Sequence, residues 1–338
     1  MIVIAPDKFK GTLTAEEAAH GILARMLGNT PDAVIWPMAD GGEGTAAIIG
    51  RYLELEYQII QGKDALNYPK EIIFYADNYN SIAYMDSASS IGLQYLKKKY
   101  DKYNPWEASS CGLGDAVLSL FSLGYKKVVV GVGGTACCDG GMGIIEVMPK
   151  IPQDKQLVFL ADVDVPLLPI YEGGLSGLTF MQQKGFSADD IPVMYNKLKN
   201  WIEISGGNNN WKYAGCGSGI GYAFTLLGAN GYSGAEYILN LHLKTLQDNK
   251  IDMIITGEGR FDCQSLSGKV TGCIINEANR RGIECVIVAG CVDYSNLIIP
   301  DGVRLIDLSE NKGSSYIPDY NETLDRMSRH RINLNLVK

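Results

Sequence analysis

Three segments of the chain crowd carboxylates and cations around glycines. The first holds Asp7, Lys8, Lys10 and Gly11. The second holds Asp40, Gly41, Gly42, Glu43 and Gly44. The third holds Gly257, Glu258, Gly259, Arg260 and Asp262, with Lys269 further on. Glycines let backbone N–H groups approach phosphates closely. Lysine and arginine neutralise phosphate, and arginine also bonds phosphate or carboxylate in a bidentate fork. Carboxylates hold Mg2+ through oxygen and water, and a further carboxylate can orient an attacking hydroxyl or accept its proton. Together these are the parts of phosphoryl transfer to an alcohol. Such chemistry needs no histidine and no serine triad, and His20, His242 and His330 lie outside all three segments. Blander accounts exist for single residues: Asp40 and its glycines could form only a tight turn, and Lys8 could be a solvated loop residue.

Two further glycine stretches matter. "VVVGVGGTACCDGGMG" spans Val128–Gly143. Gly131, Gly133 and Ala136 fit G-x-G-x-x-A, the dinucleotide pattern. However, Gly140 and Gly141 interrupt the helix that pattern requires, and no acidic residue ends a second strand ~20 residues later. The stretch therefore reads as an anion loop with Asp139 as a candidate functional carboxylate. "AGCGSGIGYAF" at Ala214–Phe224 could open a helix onto a ligand or serve close helix packing. Gly268-Lys269 is followed by Val270, so there is no G-x-x-x-x-G-K-[ST] loop, and a P-loop kinase is excluded.

These segments need elements to position them. Continuous apolar runs bounded by glycine or charge predict buried parallel strands: Ile2–Ala5, Ala33–Pro37, Asp252–Thr256, Glu284–Ala289 and Val303–Asp307. Helices are expected from about Thr14 to Leu27, with Thr14 and Glu17 forming a capping box, after the second glycine segment, and from about Val270 to Arg281. The front then reads β-α-β and the back β-α-β-α-β. Between them the pattern changes to short strands at hairpin spacing, Tyr57–Ile60, Glu71–Tyr75 and Ser81–Asp86. A helix near Leu113–Leu123 and strands Lys127–Val132 and Leu157–Ala161 follow. This block of mixed, largely antiparallel signals implies an inserted α/β domain over 61–239. The segments 1–60 and 240–338 would then join in one doubly wound sheet of flavodoxin-like order 2-1-3-4-5. Ligands bind outside the carboxyl ends of such strands, so the three charged segments would share one sheet edge, with the inserted domain facing it across a cleft.

Composition sets the outer limits. A chain of 338 residues, 46% hydrophobic and 20% charged, suits about two soluble domains. A net charge of −8 with no basic stripe excludes a nucleic-acid partner. No apolar run approaches the ~20 residues of a membrane span, and no leader pattern precedes the first strand, so a cytoplasmic protein without a membrane partner is expected. The eight cysteines form no C-x-x-C pair, which reads as reduced thiols rather than zinc or disulfides.

Four stretches in order, "IAPDKFKGTLTAEEAA", "PMADGGEGT", "GVGGTACCDGGMG" and "ITGEGRFDCQSLSGK", resemble the bacterial type I glycerate kinase family, over Ile2 to about Gly290. The resemblance implies transfer of the ATP γ-phosphate to D-glycerate, giving 2-phosphoglycerate or 3-phosphoglycerate, with ATP and Mg2+ as cofactors. It implies a flavodoxin-like domain carrying an inserted domain of restriction-enzyme-like topology, in a monomer or homodimer. On this reading Asp40, Asp139, Glu258 and Arg260 are catalytic. Asp7, Lys10, Gly41, Gly42, Gly133, Gly134, Thr135 and Lys269 bind substrate or phosphate, and Glu43 and Asp262 hold the metal. Cys137-Cys138 stand where the family has Thr-Asn, and Val165 stands where it has Asn, whereas "QQKG" at Gln182–Gly185 is kept. These departures leave two alternatives: a kinase for another small hydroxy acid, or a catalytically weak binding protein that retains the cleft.

Overall fold

The computed structural model describes residues 1–9, 11–28, 32–246, 250–266, 269–310 and 318–332. Its eleven strands are β1 (Ile2–Ile4), β2 (Ala33–Ile35), β3 (Tyr57–Lys63), β4 (Pro69–Asp77), β5 (Ile82–Asp86), β6 (Lys127–Gly131), β7 (Gln156–Ala161), β8 (Asn230–Ser233), β9 (Met253–Phe261), β10 (Glu284–Val292) and β11 (Val303–Asp307). The chain forms two compact units, Met1–Asp40 with Ala235–Lys338, and Gly41–Gly234.

The first unit is built on a parallel sheet in the order β11-β10-β9-β1-β2. Counted along the unit's own strands this is 2-1-3-4-5, the expected doubly wound order. Apolar side chains on both faces make it a buried sheet: on one face Ile4, Met253, Ile255, Val286 and Val288 pack with Phe9, Leu13, Ile22, Met26 and Met327, and on the other Val3, Ile254 and Ile287 are fully buried. Full burial of side chains like these contributes roughly 1.5–3 kcal/mol each. The first helix starts at Ala15 behind the expected capping box, with Glu17 N–H donating to Thr14 Oγ1 at 3.2 Å and Thr14 N–H to Glu17 Oε2 at 2.8 Å. It widens over Ile22–Met26 into a π-helical turn, where Leu27 N–H reaches back five residues to Ile22 O.

Two expectations for this unit are corrected. β9 does not end at Thr256. It runs to Phe261, because β10 pairs with it from Glu284 through Val292, so Glu258 and Arg260 are strand residues rather than loop residues. Nor does a helix join β10 to β11: residues 293–302 form an irregular link, where Asp293 Oδ1 accepts from Ser295 N–H and the Pro300-Asp301-Gly302 turn delivers β11.

The second unit holds a six-stranded sheet, β3-β4-β5-β6-β7-β8. Only the β3-β4 and β4-β5 pairs are antiparallel, and the three pairs from β5 to β8 are parallel. The expectation of a largely antiparallel block is thus corrected. The parallel half follows from the helix Cys111–Ser122, which carries the chain over from β5 to β6. Its Leu113 and Val117 join Phe74, Val128, Val130, Phe159 and Phe224 in the core. β8 was not expected, since Asn230–Ser233 is polar and partly exposed. The helix Thr45–Tyr52 belongs to this unit, where the Asp86 carboxylate at the end of β5 accepts from Gly44 N–H (2.8 Å) and Ala46 N–H (2.9 Å).

Candidate functional site

In the first unit, the order β9-β1-β2 brings Asp7 and Lys8 of the first segment, Asp40 of the second and Glu258–Asp262 of the third side by side. Beyond β1 the chain keeps step with β9, since Ala5 N–H donates to Ile255 O and Asp7 N–H to Gly257 O at 2.8 Å. Beyond β2 it keeps step with β1, as Trp36 N–H donates to Ile4 O and Met38 N–H to Pro6 O. Asp7 and Asp40, beyond the ends of β1 and β2, therefore stand beside Glu258 of β9 along one edge. Lys8 Nζ stands 3.7 Å from Asp40 Oδ1. Lys10 lies outside the described residues.

The electrostatics separate these carboxylates. Asp7 is buried, and desolvation first, then the charge of Asp40, raises its pKa from 3.8 to about 8; the Lys8 ammonium and the Lys8 N–H bond (2.7 Å) oppose the rise. Glu258 is also buried, and desolvation raises its pKa to about 6 against the influence of Thr271, Lys269 and Ser265. Its Oε1 is buried with no hydrogen-bond partner among the described residues. At neutral pH Asp7 holds its proton while Glu258 has mostly lost its own, a split that marks acid and base candidates.

The remaining residues of the third segment are occupied differently. Arg260, half exposed, bonds Asp293 Oδ2 at 2.7 Å, with Nε 3.9 Å from Asp262 Oδ2. Asp262 Oδ1 accepts from Gln264 N–H (2.9 Å) and Ser265 N–H (3.1 Å), which starts the short helical turn Cys263–Leu266. That oxygen is taken up by the turn. Lys269 directly precedes the helix Val270–Arg281 and places its charge within reach of Glu258.

In the second unit, glycine loops gather at the carboxyl ends of β5, β6 and β7. Gly41 has φ +101°, and a Cβ there would lie 2.8 Å from Leu160 O. Its carbonyl accepts from Gly133 N–H at 3.2 Å, and a Cβ on Gly133 would sit 2.5 Å from Gly42 Cα. The two glycine segments therefore touch backbone to backbone, which no larger residue permits. Glu43 stands beside Gly134, with Oε2 3.7 Å from the place of a Cβ on that glycine. Thr135 is buried in the same loop.

Asp139 is placed apart in role. Its Oδ2 accepts from Ser110 N–H (2.8 Å), Ser110 Oγ (2.7 Å) and Gly143 N–H (3.2 Å), and its Oδ1 from Gly141 N–H (3.1 Å). The carboxylate is the anchor of the Gly140-Gly141 turn. Burial pushes the adjacent Cys137 thiol well up, so it stays protonated. Among the described residues, no three His, Cys, Asp or Glu side chains gather to hold a metal ion. Three residues were missed in sequence. Asp86 caps the helix after Gly44, and a carboxylate at a strand exit was the available signal. Lys184 lies in "QQKG" and Ser218 in the glycine stretch Ala214–Phe224, but nothing in the spacing showed that the Lys184 ammonium donates to both Thr135 and Ser218.

A model of the glycerate kinase family matches residues 2–149 and 145–306. The chain is 31% identical to a glycerate kinase of Neisseria meningitidis serogroup B over 86% of this chain and 85% of that one. It is 28% identical to the glycerate 2-kinase of Escherichia coli, over 86% and 84%. The crystal structure of a putative glycerate kinase 2 from Salmonella typhimurium shares the fold, with a TM-score of 0.71 at 23% identity, over 97% of this chain and 95% of that one. With the family match running from β1 to β11, through the charged edge of one unit and the glycine loops of the other, the chain belongs to the glycerate kinase family.

Proposed function

We propose that the protein is a glycerate kinase of the bacterial type I kind, moving the γ-phosphate of ATP to a hydroxyl of D-glycerate to give 2-phosphoglycerate or 3-phosphoglycerate. The observation that carries the chemistry is the Asp7, Asp40 and Glu258 edge, where one buried Glu258 oxygen has no hydrogen-bond partner among the described residues. The acceptor hydroxyl is such a donor. Glu258, ionised at neutral pH, takes its proton, and its pKa near 6 suits a base working at pH 7. Asp7, still protonated there, donates a hydrogen bond without repelling an anionic substrate. Asp40 fixes Lys8, and Arg260 and Lys269 offer cations to carboxylate or phosphate.

In the second unit, Gly41, Gly42, Gly133, Gly134 and Thr135 form the phosphate-binding loops, where glycine backbone admits oxygens closely. Mg2+, when bound with the nucleotide, neutralises charge developing on the phosphates. Such an ion takes one or two carboxylates and rides otherwise on phosphate oxygens and water, so Glu43 at the glycine loop fits it. Asp262 and Asp139 are assigned to turns instead. All eight cysteines are free thiols, in keeping with a cytoplasmic setting.

The test is ADP release with D-glycerate in a coupled assay, with the phosphorylated hydroxyl read by NMR of the product. No release above background, with nucleotide and glycerate still bound, would sink the kinase reading. Faster turnover of a related hydroxy acid would reassign the substrate, a comparison motivated by Val165.

A further inference from the structure

We propose that Lys184 is a positioning residue that stitches the two glycine-rich loops of the second unit together and fixes the geometry of Thr135; its bearing on catalysis rests on the kinase reading above. Lys184 is only 3% exposed. Its Nζ donates to Thr135 Oγ1 at 3.2 Å, to Cys137 O at 2.8 Å and to Ser218 Oγ at 2.8 Å. Three donors thus meet three oxygens, all neutral. A buried ammonium is tolerated only when fully bonded, so each of these oxygens is held in place by the need to satisfy the charge.

The partners come from loops about 80 residues apart. Thr135 and Cys137 belong to the loop after β6, and Ser218 to the stretch Ala214–Phe224. Thr135 Oγ1 also donates to Gly217 O at 3.4 Å, so one hydroxyl receives from Lys184 and gives to the second loop. Ser218 has φ +56°, between Gly217 at +58° and Gly219 at +103°. A left-handed backbone disfavours a side chain, and both neighbours are glycine. The one position of the three that keeps a side chain is the one whose hydroxyl takes the lysine. On its other side the first loop is fixed by Leu93 N–H to Gly134 O and Ala136 N–H to Ile91 O, both at 2.9 Å. Lys184 thereby completes the clamp on Gly133–Thr135, the peptides proposed to meet phosphate.

The experiment pairs steady-state kinetics with hydrogen exchange on Lys184→Met, Ser218→Gly, Thr135→Val and Thr135→Ser. Ser218→Gly relieves backbone strain as it removes the hydroxyl, so it stays folded even if Lys184→Met does not. Faster exchange is expected in peptides covering 133–137 and 216–219 together in Lys184→Met, Ser218→Gly and Thr135→Val, with the rest of the chain unchanged. In the same variants kcat/KM for ATP should fall about 10- to 100-fold, mainly through KM, as misplaced binding groups do. Thr135→Ser, which keeps the hydroxyl, should leave exchange in both segments as in the wild type, and Lys184→Met with Thr135→Val should be non-additive. Exchange that rises uniformly, with unchanged kinetic constants for the folded protein, overturns the proposal. So does faster exchange in one loop without the other. If the wild-type protein phosphorylates no hydroxy acid, the kinase reading fails, and the exchange pattern still decides whether Lys184 couples the loops.

Discussion

Replacing Asp7 by asparagine should make the protein more stable, by an amount that depends on pH. The folded carboxyl keeps its proton up to about pH 8, whereas the unfolded one loses it near 3.8. A raised folded pKa means that stability is fully present below 3.8 and is lost as pH rises toward 8. At pH 7 folding must take up a proton against roughly three pH units, which costs about 4 kcal/mol at ~1.36 kcal/mol per unit. Asparagine keeps an oxygen for the Lys8 N–H and carries no such cost. Asp7→Asn should therefore exceed the wild type by about 4 kcal/mol at pH 7, by ~1–2 kcal/mol at pH 5, and by almost nothing at pH 4. Urea denaturation of both proteins in parallel from pH 4 to 8 measures the difference. A variant no more stable than wild type at pH 7, or a gap that stays constant across that range, refutes a buried, proton-holding Asp7. A stabilising loss of a site residue is also what a functional carboxylate predicts, because active sites are held against the preference of the fold.

Further outcomes follow from the same geometry. The rate kcat/KM against pH should be a bell, rising through about 6 as Glu258 ionises and falling above about 8 as Asp7 loses its proton; a flat profile from pH 5.5 to 8.5 argues against both roles. Glu258→Gln should lower kcat by 10²–10⁴-fold, about the usual effect of removing a general base, and near-normal turnover removes it from the site. Asp139→Asn turns an amide toward N–H donors, so it should destabilise the second unit by roughly 1–3 kcal/mol and leave kcat of the folded enzyme largely intact, as thermal melts beside initial rates would show. Gly133→Ala forces a methyl to within 2.5 Å of Gly42 Cα, and should both destabilise by ~1–3 kcal/mol and raise KM for ATP.

The sequence made the doubly wound sheet legible because its strands are unbroken apolar runs, each followed by glycine or charge. The order 2-1-3-4-5 followed from strand count and connection type. The Thr14–Glu17 box was readable because capping is local. What stayed hidden depends on partners distant in sequence. β9 extends through Gly257–Phe261 only because β10 is there to pair with it, so a stretch that reads as a loop is strand. β8 has no apolar alternation, and its pairing with β7 supplies the order its side chains do not. The bonds that tie Asp139 to Ser110 stayed hidden because the two lie 29 residues apart. Lys184 stands in the kept "QQKG" stretch, but its burial could not be read there, since burial of a lysine is a property of the surrounding loops.

The placement of β1 beside β9 has a consequence for synthesis on the ribosome. β1 sits inside its sheet, yet its partner on one side, Met253–Ile255, emerges some 250 residues later. Gly41–Gly234 is complete as a sequence before that partner exists, so it can fold while β1 and β2 wait with a bare, apolar edge. Such an edge pairs readily with other chains. The nascent protein is therefore most exposed to aggregation, and most in need of chaperone cover, during the long interval between β1 and β9.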